Sequence, residues 1–246
     1  MPYDKKPEMI IFDVGGTLFD DGPCKPIDGL SHLRLASSNP EVTDDNTLAL
    51  LWDKYMNDIS SLKSKSGVSL DMPLTAPLRY VSMRTGLRFD ISTPEQEEIF
   101  DRYNSSRKVI DGIPELLDTL HSLSIRTAVI SNNAMSSAGL SLALKSWIPD
   151  ESFEFVLTSA DILYCKPCKD IFLSALVYAG LEPSDCWYCG DGFVPDVIGS
   201  SGVGITPVLI NTKAENEFEI NQVNGSEYIT VNNWYTLRNY ILKFAE

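Results

Sequence analysis

The sequence predicts an α/β fold: a doubly wound parallel sheet with an inserted α-helical cap domain. Two observations lead to it. From residue 109 onward, short apolar runs alternate with helical patterns, as in chains that build a parallel sheet. Between residues 18 and 110 the periodic segments are helical instead, and no apolar run there ends in a candidate site residue. We therefore expect residues 1–21 and 108–246 to form the core and residues 22–107 the cap.

The individual elements follow from hydrophobic periodicity and from start and stop signals. In the cap we expect helices over residues 47–65, 72–87 and 94–103. In the core we expect strands at 126–131, 153–157, 185–190, 205–210 and 228–231, and helices at 114–123, 134–144, 170–180, 194–201 and 234–244. An earlier apolar run, which stops at Asp13, has the character of a buried parallel strand.

Length and charge limit the classes of function. A chain of 246 residues that is 43% hydrophobic can bury a sizeable core in one domain plus an insertion. The formal charge of −14 disfavours nucleic acid and anionic membranes as partners, because a polyanion would be repelled over most of the surface. The first eight residues lack the apolar centre of a signal peptide, so we expect a cytoplasmic location. No sequence feature specifies an oligomeric state.

The run that ends at Asp13 carries the strongest functional signal. A carboxylate at the carboxyl end of a parallel strand lies where open α/β sheets bind ligands. Gly15 and Gly16 allow the backbone to approach a ligand closely, and the Thr17 hydroxyl could hold an anion's oxygen. This segment indicates a nucleophile presented to a phosphoryl group.

Three further pieces follow in order along the chain. Ser131 ends a second apolar run, Lys166 precedes a predicted helix, and a third apolar run leads into Asp191 and Asp196. Carboxylate oxygens are the ligands that Mg²⁺ prefers, and a hydroxyl and a lysine suit the remaining phosphate oxygens. Together the four pieces predict a phosphate and magnesium site, with Asp196 in a supporting position.

In these four motifs the chain resembles the haloacid dehalogenase-like hydrolase superfamily, specifically its helical-cap group, whose core is Rossmann-like. The resemblance covers essentially the whole chain. It implies a covalent route in which Asp13 is the nucleophile and forms an aspartyl-phosphate, with Lys166 as the second catalytic residue. By the same resemblance the phosphate ligands are Thr17, Ser131, Asn132 and Lys166, the Mg²⁺ ligands are Asp13, the backbone carbonyl of Gly15 and Asp191, and Asp196 supports them.

One position departs from the family pattern. Phosphatases of the superfamily carry a second Asp two residues after the nucleophile, where this chain has Gly15. Glycine keeps the carbonyl that the metal needs but removes the general acid, which typically contributes ~10²–10⁴ in rate. Asp20 and Asp21 are the nearest candidates to replace it. We therefore expect weak turnover of alkyl phosphates and a preference for leaving groups that are stable without protonation.

The same gap admits other reactions. Dehalogenases and carbon–phosphorus hydrolases of the superfamily also lack the second Asp, although the retained Asp191 is typical of the metal-dependent branch. A phosphonatase would need a cap lysine as Schiff base, for which Lys54, Lys63 and Lys65 are the candidates. A non-catalytic relative that binds phosphate or a partner protein is the third alternative.

The cysteines, and the histidines with the cap aromatics, are two further groups of residues that could suggest a function. The pairs Cys165/Cys168 and Cys186/Cys189 have zinc-like spacing, but the second pair lies in a predicted strand where residues three apart point to opposite faces, which favours buried thiols. We expect surface or capping roles for the two histidines, His32 and His121, and packing within the cap for the aromatic side chains Trp52, Tyr55, Phe100 and Tyr103.

The sequence therefore predicts a Mg²⁺-dependent hydrolase of the phosphatase type, with a small phosphorylated metabolite as substrate and an intermediate on Asp13.

Overall fold

A seven-stranded, mostly parallel sheet forms the centre of the fold. The computed structural model describes residues 5–66, 72–149, 151 and 153–245, without the side chains of residues 63–66. The strand order is β5-β4-β1-β6-β7-β9-β8, and only the β8–β9 pair is antiparallel. The strands are β1 (Met9–Phe12), β4 (Arg126–Ser131), β5 (Val156–Thr158), β6 (Cys186–Gly190), β7 (Thr206–Ile210), β8 (Phe218–Val223) and β9 (Ser226–Val231), while β2 (Phe19–Asp20) and β3 (Lys108–Val109) form a separate ribbon.

Helices cover both faces of the sheet. They are α1 (Pro26–Leu35), α2 (Asp45–Ser66), α3 (Thr75–Thr85), α4 (Thr93–Asn104), α5 (Ile113–Ser122), α6 (Ser137–Trp147), α7 (Ser159–Ile162), α8 (Lys169–Ala179), α9 (Gly199–Ser201) and α10 (Trp234–Ile241). Neighbouring residues of β1 show the layering: Ile10 belongs to the hydrophobic cluster that includes residues of α5, α6 and α10, whereas Met9 belongs to the cluster that includes residues of α8. The α/β fold with a doubly wound sheet is thus confirmed.

The first strand is apolar throughout because it has no exposed side. Parallel pairing places β1 between β4 and β6, with Ile11 opposite Ala128 on one side and Tyr188 on the other. All four of its side chains are fully buried. A strand enclosed in this way shows a continuous hydrophobic run instead of alternation, which is why its position could be predicted.

The helices α1 to α4 form the insertion. The antiparallel ribbon of β2 and β3 carries the chain out of the core and back, with Phe19 opposite Val109. Helix α4 begins with a capping box, in which the Ser92 hydroxyl accepts from the Glu95 amide and the Glu95 carboxylate accepts from the Ser92 amide. Trp52 and Phe100 pack within the cap as expected, with their rings stacked at a centroid distance of 5.0 Å, whereas Tyr103 is exposed.

Several elements differ from the sequence expectations. Helix α1 and strand β8 were not predicted. The final helix ends at Ile241 instead of residue 244, and a 3₁₀ turn (Leu242–Ala245) follows it. The helix expected over 194–201 is a π-helical turn (Phe193–Ile198) continued by α9.

The hydropathy of the helices bears on membranes. Within the residues that the structure describes, no helix combines the length and the apolar character needed to cross a bilayer.

Candidate active site

Three adjacent strands end at one cavity. Asp13 follows β1, Ser131 ends β4 and Asp191 follows β6, and β1 is the neighbour of the other two strands. Because parallel strands end on the same edge, these side chains meet there. The cavity measures about 200 Å³, and the predicted site residues that line it are Asp13, Gly15, Ser131, Asn132, Lys166, Asp191 and Asp196.

Lys166 reaches the same cavity from the loop before α8. Its backbone is held by the Asn132 side chain, whose Oδ1 accepts from the Lys166 amide at 2.7 Å and whose Nδ2 donates to the Lys166 carbonyl at 3.1 Å. Its Nζ lies 2.8 Å from Asp13 Oδ1 and 2.7 Å from Asp196 Oδ1, and it donates to the Tyr188 hydroxyl at 2.7 Å. Only 2% of the lysine side chain is exposed, so this ammonium group is fixed on three oxygen atoms.

Asp196 supports the lysine from the π-helical turn. Its Oδ2 accepts from the Gly192 amide at 2.8 Å, while its Oδ1 pairs with Lys166. With both oxygens engaged and 2% of its side chain exposed, Asp196 stabilises the lysine and is poorly placed to hold a metal ion directly. The sequence placed Asp196 in support of the Mg²⁺ ligands, which stays a prediction.

The carboxylates of this site are an electrostatic cluster. Among the described residues, Asp13, Asp191 and Asp196 are the one group of acids with oxygens close enough to share a metal ion, all lying within 4.8 Å of one another. Burial raises the pKa of Asp13 to about 6, the nearby Lys166 opposes this shift, and the charge of Asp196 adds to it. Burial and the Asp196 charge also raise the pKa of Asp191.

The donor set fits a hard divalent cation. Three carboxylates face one ammonium, so the cluster carries excess negative charge at the point where Asp13 and Asp191 converge. Asp13 Oδ1 pairs with Lys166 at 2.8 Å, and the Gly15 backbone borders the same cavity. Mg²⁺ prefers such carboxylate oxygens together with waters and a substrate phosphate.

Gly16 allows the close approach of the first loop to Asp191. Its φ is +67°, a left-handed conformation that favours glycine, and a Cβ atom at this position would overlap the Asp191 carboxylate. A side chain at this position would therefore push the first loop and Asp191 apart.

Two of the expected phosphate ligands lie differently from the rest. Thr17 is fully buried, does not line the cavity, and its Oγ1 has no hydrogen-bond partner in the described part of the chain. The Asn132 side chain donates one N–H to the Lys166 carbonyl and accepts from the Lys166 amide, so it fixes the lysine loop while it also lines the cavity. Ser131 is buried at the end of β4 and lines the cavity as expected.

Asp21 and Arg107 also line the cavity. Arg107 Nε donates to Asp21 Oδ1 at 2.6 Å, and its NH1 donates to Asp101 Oδ2 of helix α4 at 2.8 Å. Asp20 is exposed on the β2–β3 ribbon and is not a cavity residue. Of the two acids expected as replacements for the missing one, the structure brings only Asp21 to the site.

Three contributors were not predicted from the sequence: Tyr188, Arg107 and Asp101. Tyr188 is indistinguishable by pattern from the apolar residues of β6, and only its hydroxyl, which also donates to the Ile130 carbonyl at 3.1 Å, shows its role. The other two residues flank the return to the core, far in sequence from Asp13. The charge of these two residues, in a segment otherwise predicted as helical, was the only signal for them in the sequence.

The cysteine pairs and the cap lysines are the alternative sites that the sequence offers. Cys186 and Cys189 are buried in the hydrophobic clusters on opposite faces of the sheet, so the two thiols cannot share one metal ion. Lys54 is exposed and pairs with Asp58 at 2.8 Å on α2. The side chains of Lys63 and Lys65 lie outside the described residues.

The histidines take the surface roles expected of them. His32 stacks on Tyr103 with ring centroids 3.6 Å apart, and His121 lies 3.2 Å from Glu151 near the end of α5. Neither histidine is a cavity residue.

Comparison with known proteins agrees with this fold. The model of a protein family described as haloacid dehalogenase-like hydrolase matches residues 10–210. The chain belongs to this family. It is 31% identical over 113 residues to haloacid dehalogenase-like hydrolase domain-containing protein 3 of Xenopus laevis, an overlap that covers 46% of this chain and 45% of that protein. The chain spans less than half the length of the curated relatives it matches.

Solved structures show the same fold over the whole chain. A Had-superfamily hydrolase from Ehrlichia chaffeensis matches with a TM-score of 0.54 and 20% identity, covering 98% of this chain and 99% of that one. A 2-haloacid dehalogenase from Pseudomonas syringae pv. Tomato matches with a TM-score of 0.56 and 19% identity, covering 96% and 98%. At such identities the likeness establishes the fold, and the reaction has to be argued from the site.

Proposed function

We propose that this hydrolase is a Mg²⁺-dependent phosphatase that acts on a small phosphorylated metabolite through an aspartyl-phosphate on Asp13. One observation supports the proposal above all: Asp13, Lys166 and Asp191 meet at one cavity, with the lysine fixed 2.8 Å from the nucleophile. A carboxylate, a buried cation and a second acid suit attack on a phosphoryl group, whose charge needs both orientation and neutralisation.

The chemistry on the protein side has two displacements. Asp13 attacks phosphorus, the bond to the leaving oxygen breaks, and the phosphoryl group becomes attached to the Asp13 oxygen. Water then attacks phosphorus, and the Asp13 carboxylate departs with release of inorganic phosphate. Lys166 can follow the developing charge because its Nζ already lies beside the Asp13 oxygen, and Ser131 offers a hydroxyl from the adjoining strand.

Magnesium would be held by Asp13, Asp191 and the backbone carbonyl of Gly15. When bound, the ion would neutralise charge between the nucleophile and the anionic substrate. The excess of carboxylates over cations in the described cluster supports this part of the proposal.

The size and charge of the cavity support a small substrate. A volume of about 200 Å³ is below the range of about 300–1,000 Å³ that is usual for drug-sized ligands. The formal charge of −14 disfavours a nucleic acid, so a phosphorylated metabolite is the substrate class that we propose. Without an acid at position 15, aryl and acyl phosphates should be better substrates than alkyl phosphates.

A series of phosphate esters graded by the pKa of the leaving alcohol tests this function. Phosphate release is measured with Mg²⁺ and with a chelator present, for the wild type and for Asp13→Asn. We expect release only with Mg²⁺, a steep rise in rate as the leaving group becomes more acidic, and no activity in the variant. Turnover that persists in Asp13→Asn would contradict the proposal.

The same experiment separates the alternatives. Gly15 is compatible with dehalogenation, since a halide leaves without a proton, so halide release from 2-haloacids is measured in parallel. Halide release without added metal would favour a dehalogenase. Equilibrium binding of Mg²⁺ and phosphate without hydrolysis of any ester would favour a non-catalytic binding protein.

A further inference from the structure

We propose that Asp21 is the general base for the second displacement, and that it occupies the space which a side chain at position 15 would fill. The inference rests on the proposed phosphatase function. It assigns a catalytic residue at a position outside the four sequence motifs.

The Asp21 carboxylate lies close to position 15. A Cβ atom built on Gly15 would lie 2.8 Å from Asp21 Oδ2. Within an aspartate, the Cβ and carboxylate oxygens are separated by roughly 2.4 Å according to standard bond lengths. The Asp21 oxygen therefore lies at about the distance from the loop that a carboxylate belonging to residue 15 would reach.

A side chain at position 15 would compete with the Asp21 carboxylate for the same space. Unlike Gly16, Gly15 has no left-handed backbone conformation, so its φ does not require glycine. Any larger residue would displace the Asp21 carboxylate. The absence of an acid at this position and the presence of Asp21 are two aspects of the same arrangement.

The acids that line the cavity differ in what already engages them. Among the described residues that line it, four are carboxylates. Asp13 is the proposed nucleophile, Asp191 is assigned to the metal, and both oxygens of Asp196 are engaged by Lys166 and the Gly192 amide. Asp21 is the remaining cavity acid, and 43% of its side chain is exposed, so a proton it accepts can pass to solvent.

Arg107 positions the Asp21 carboxylate. The Arg107 guanidinium holds Asp21 Oδ1 at 2.6 Å, which leaves Oδ2 on the side of Gly15. Arg107 is itself held by Asp101 at 2.8 Å and lies over the Phe19 ring, 5.5 Å from its centroid. Only 9% of the arginine side chain is exposed. Arg107 is thus a positioning residue that links helix α4 of the insertion to the acid in the core.

In the second displacement, Asp21 accepts the proton of the attacking water. A water oxygen attacks phosphorus of phospho-Asp13, and one proton of that water moves to Asp21 Oδ2. The bond between phosphorus and the Asp13 oxygen breaks, Asp13 regains its carboxylate, and phosphate leaves. The proton then passes from Asp21 to solvent. The first displacement does not use this base, so the dependence on the leaving group is retained.

Rapid acid quench with 4-nitrophenyl phosphate and Mg²⁺ tests the assignment. The burst of nitrophenol reports formation of phospho-Asp13, and the later linear phase reports its hydrolysis. In Asp21→Asn we expect a full burst, a linear phase slower by about 10²-fold, and accumulation of trapped phosphoenzyme. The retained burst also shows that the variant is folded. Asp20→Asn is the matched control, since Asp20 is an exposed neighbour outside the cavity, and it should behave as the wild type.

A double variant provides the reciprocal test. Gly15→Asp combined with Asp21→Ala clears this space and supplies a carboxylate to it from the other side, and its linear rate should be at least tenfold that of Asp21→Ala. Three results would overturn the assignment: an unchanged linear phase in Asp21→Asn, an equal loss in Asp20→Asn, or no recovery in the double variant. In each case, phosphate release by the wild type would leave the proposed function standing. If neither the wild type nor Asp20→Asn releases phosphate or forms phosphoenzyme, the proposed function fails, and the assignment of Asp21 fails with it.

Discussion

Lys166 and Asp196 form an ion pair that is closed to solvent. The lysine Nζ lies 2.7 Å from Asp196 Oδ1, and each side chain is 2% exposed. A buried pair of this kind is costly to break from one side, because Lys166 would keep Asp13 as its one carboxylate partner in the described cluster and would not regain water.

The Asp196→Asn variant should therefore lose about 3 kcal/mol of unfolding free energy, measured by urea denaturation near neutral pH. Asp191→Asn is the control, since Asp191 is exposed and, in the described part of the chain, makes no ion pair with Lys166. It should not lower stability but should weaken Mg²⁺ binding measured by calorimetry. Equal stability of the two variants would contradict a supporting role for Asp196.

Adding an acid at position 15 should change substrate preference. Gly15→Asp should raise kcat/KM for alkyl phosphates about 10²-fold and change aryl phosphates little, because only the poor leaving group needs a proton. The new Cβ lies 2.8 Å from Asp21 Oδ2, but that oxygen is the end of a flexible side chain and can move. Gly15→Asn is the matched control without an acid. A similar gain in the Asn variant, or equal gains on both substrate types, would count against the argument.

Glu97 should make stability depend on pH. It is fully buried on α4 and accepts hydrogen bonds from the Ser136 hydroxyl and amide at the start of α6. Burial raises the pKa of Glu97 above its ordinary value of 4.5, against the opposing effect of the Ser136 bonds. A carboxyl with a higher pKa in the folded state stabilises that state below its unfolded pKa, and the contribution is lost as pH rises through the folded value.

The difference in unfolding free energy between the wild type and Glu97→Gln should accordingly become less favourable to the wild type from about pH 4 to about pH 7. Urea denaturation at several pH values measures it. Glu215→Gln, at an exposed loop position, should show a constant difference. A constant difference for Glu97→Gln as well would refute this expectation.

Thiol reactivity should separate the five cysteines. Burial raises the pKa of Cys186 to about 12 and that of Cys189 well above its usual range, whereas Cys24 is exposed. Because the thiolate is the reactive form, a thiol reagent at about pH 8 should label Cys24 quickly and leave the two β6 thiols unlabelled in native protein. Urea should release all five, and Cys24→Ser should remove the fast phase. Fast labelling of Cys186 in native protein would contradict the buried environment.

The core of the site was predictable because it lies at strand ends. Asp13, Ser131 and Asp191 each terminate an apolar run, and the rule that parallel strands end on one edge brings them together. Lys166 required the family resemblance, since the loop before α8 has no strand to place it. The Asp21–Arg107 pair required coordinates, because its two members are 86 positions apart in sequence.

The missed hairpin has a different origin. Asn224 and Gly225 both have positive φ, 49° and 82°, as a tight turn between β8 and β9 requires. Asn-Gly between strands is a strong hairpin signal, so this feature was present in the sequence. Gln222 stands where the alternation begun by Phe218 and Ile220 would place an apolar residue, so the pattern is too short to predict a strand. Helix α1 was missed because its apolar stripe is short and interrupted by Gly29.

The most direct measurement is the identity of the phosphorylated residue. Protein quenched in acid during turnover of an aryl phosphate with Mg²⁺ is digested and analysed by mass spectrometry, using Asp13→Asn as the control. We expect one phosphoryl group on the peptide that contains Asp13, lost on treatment with hydroxylamine, and none in the variant. A label on another residue, or sustained hydrolysis by the variant, would contradict Asp13 as the nucleophile.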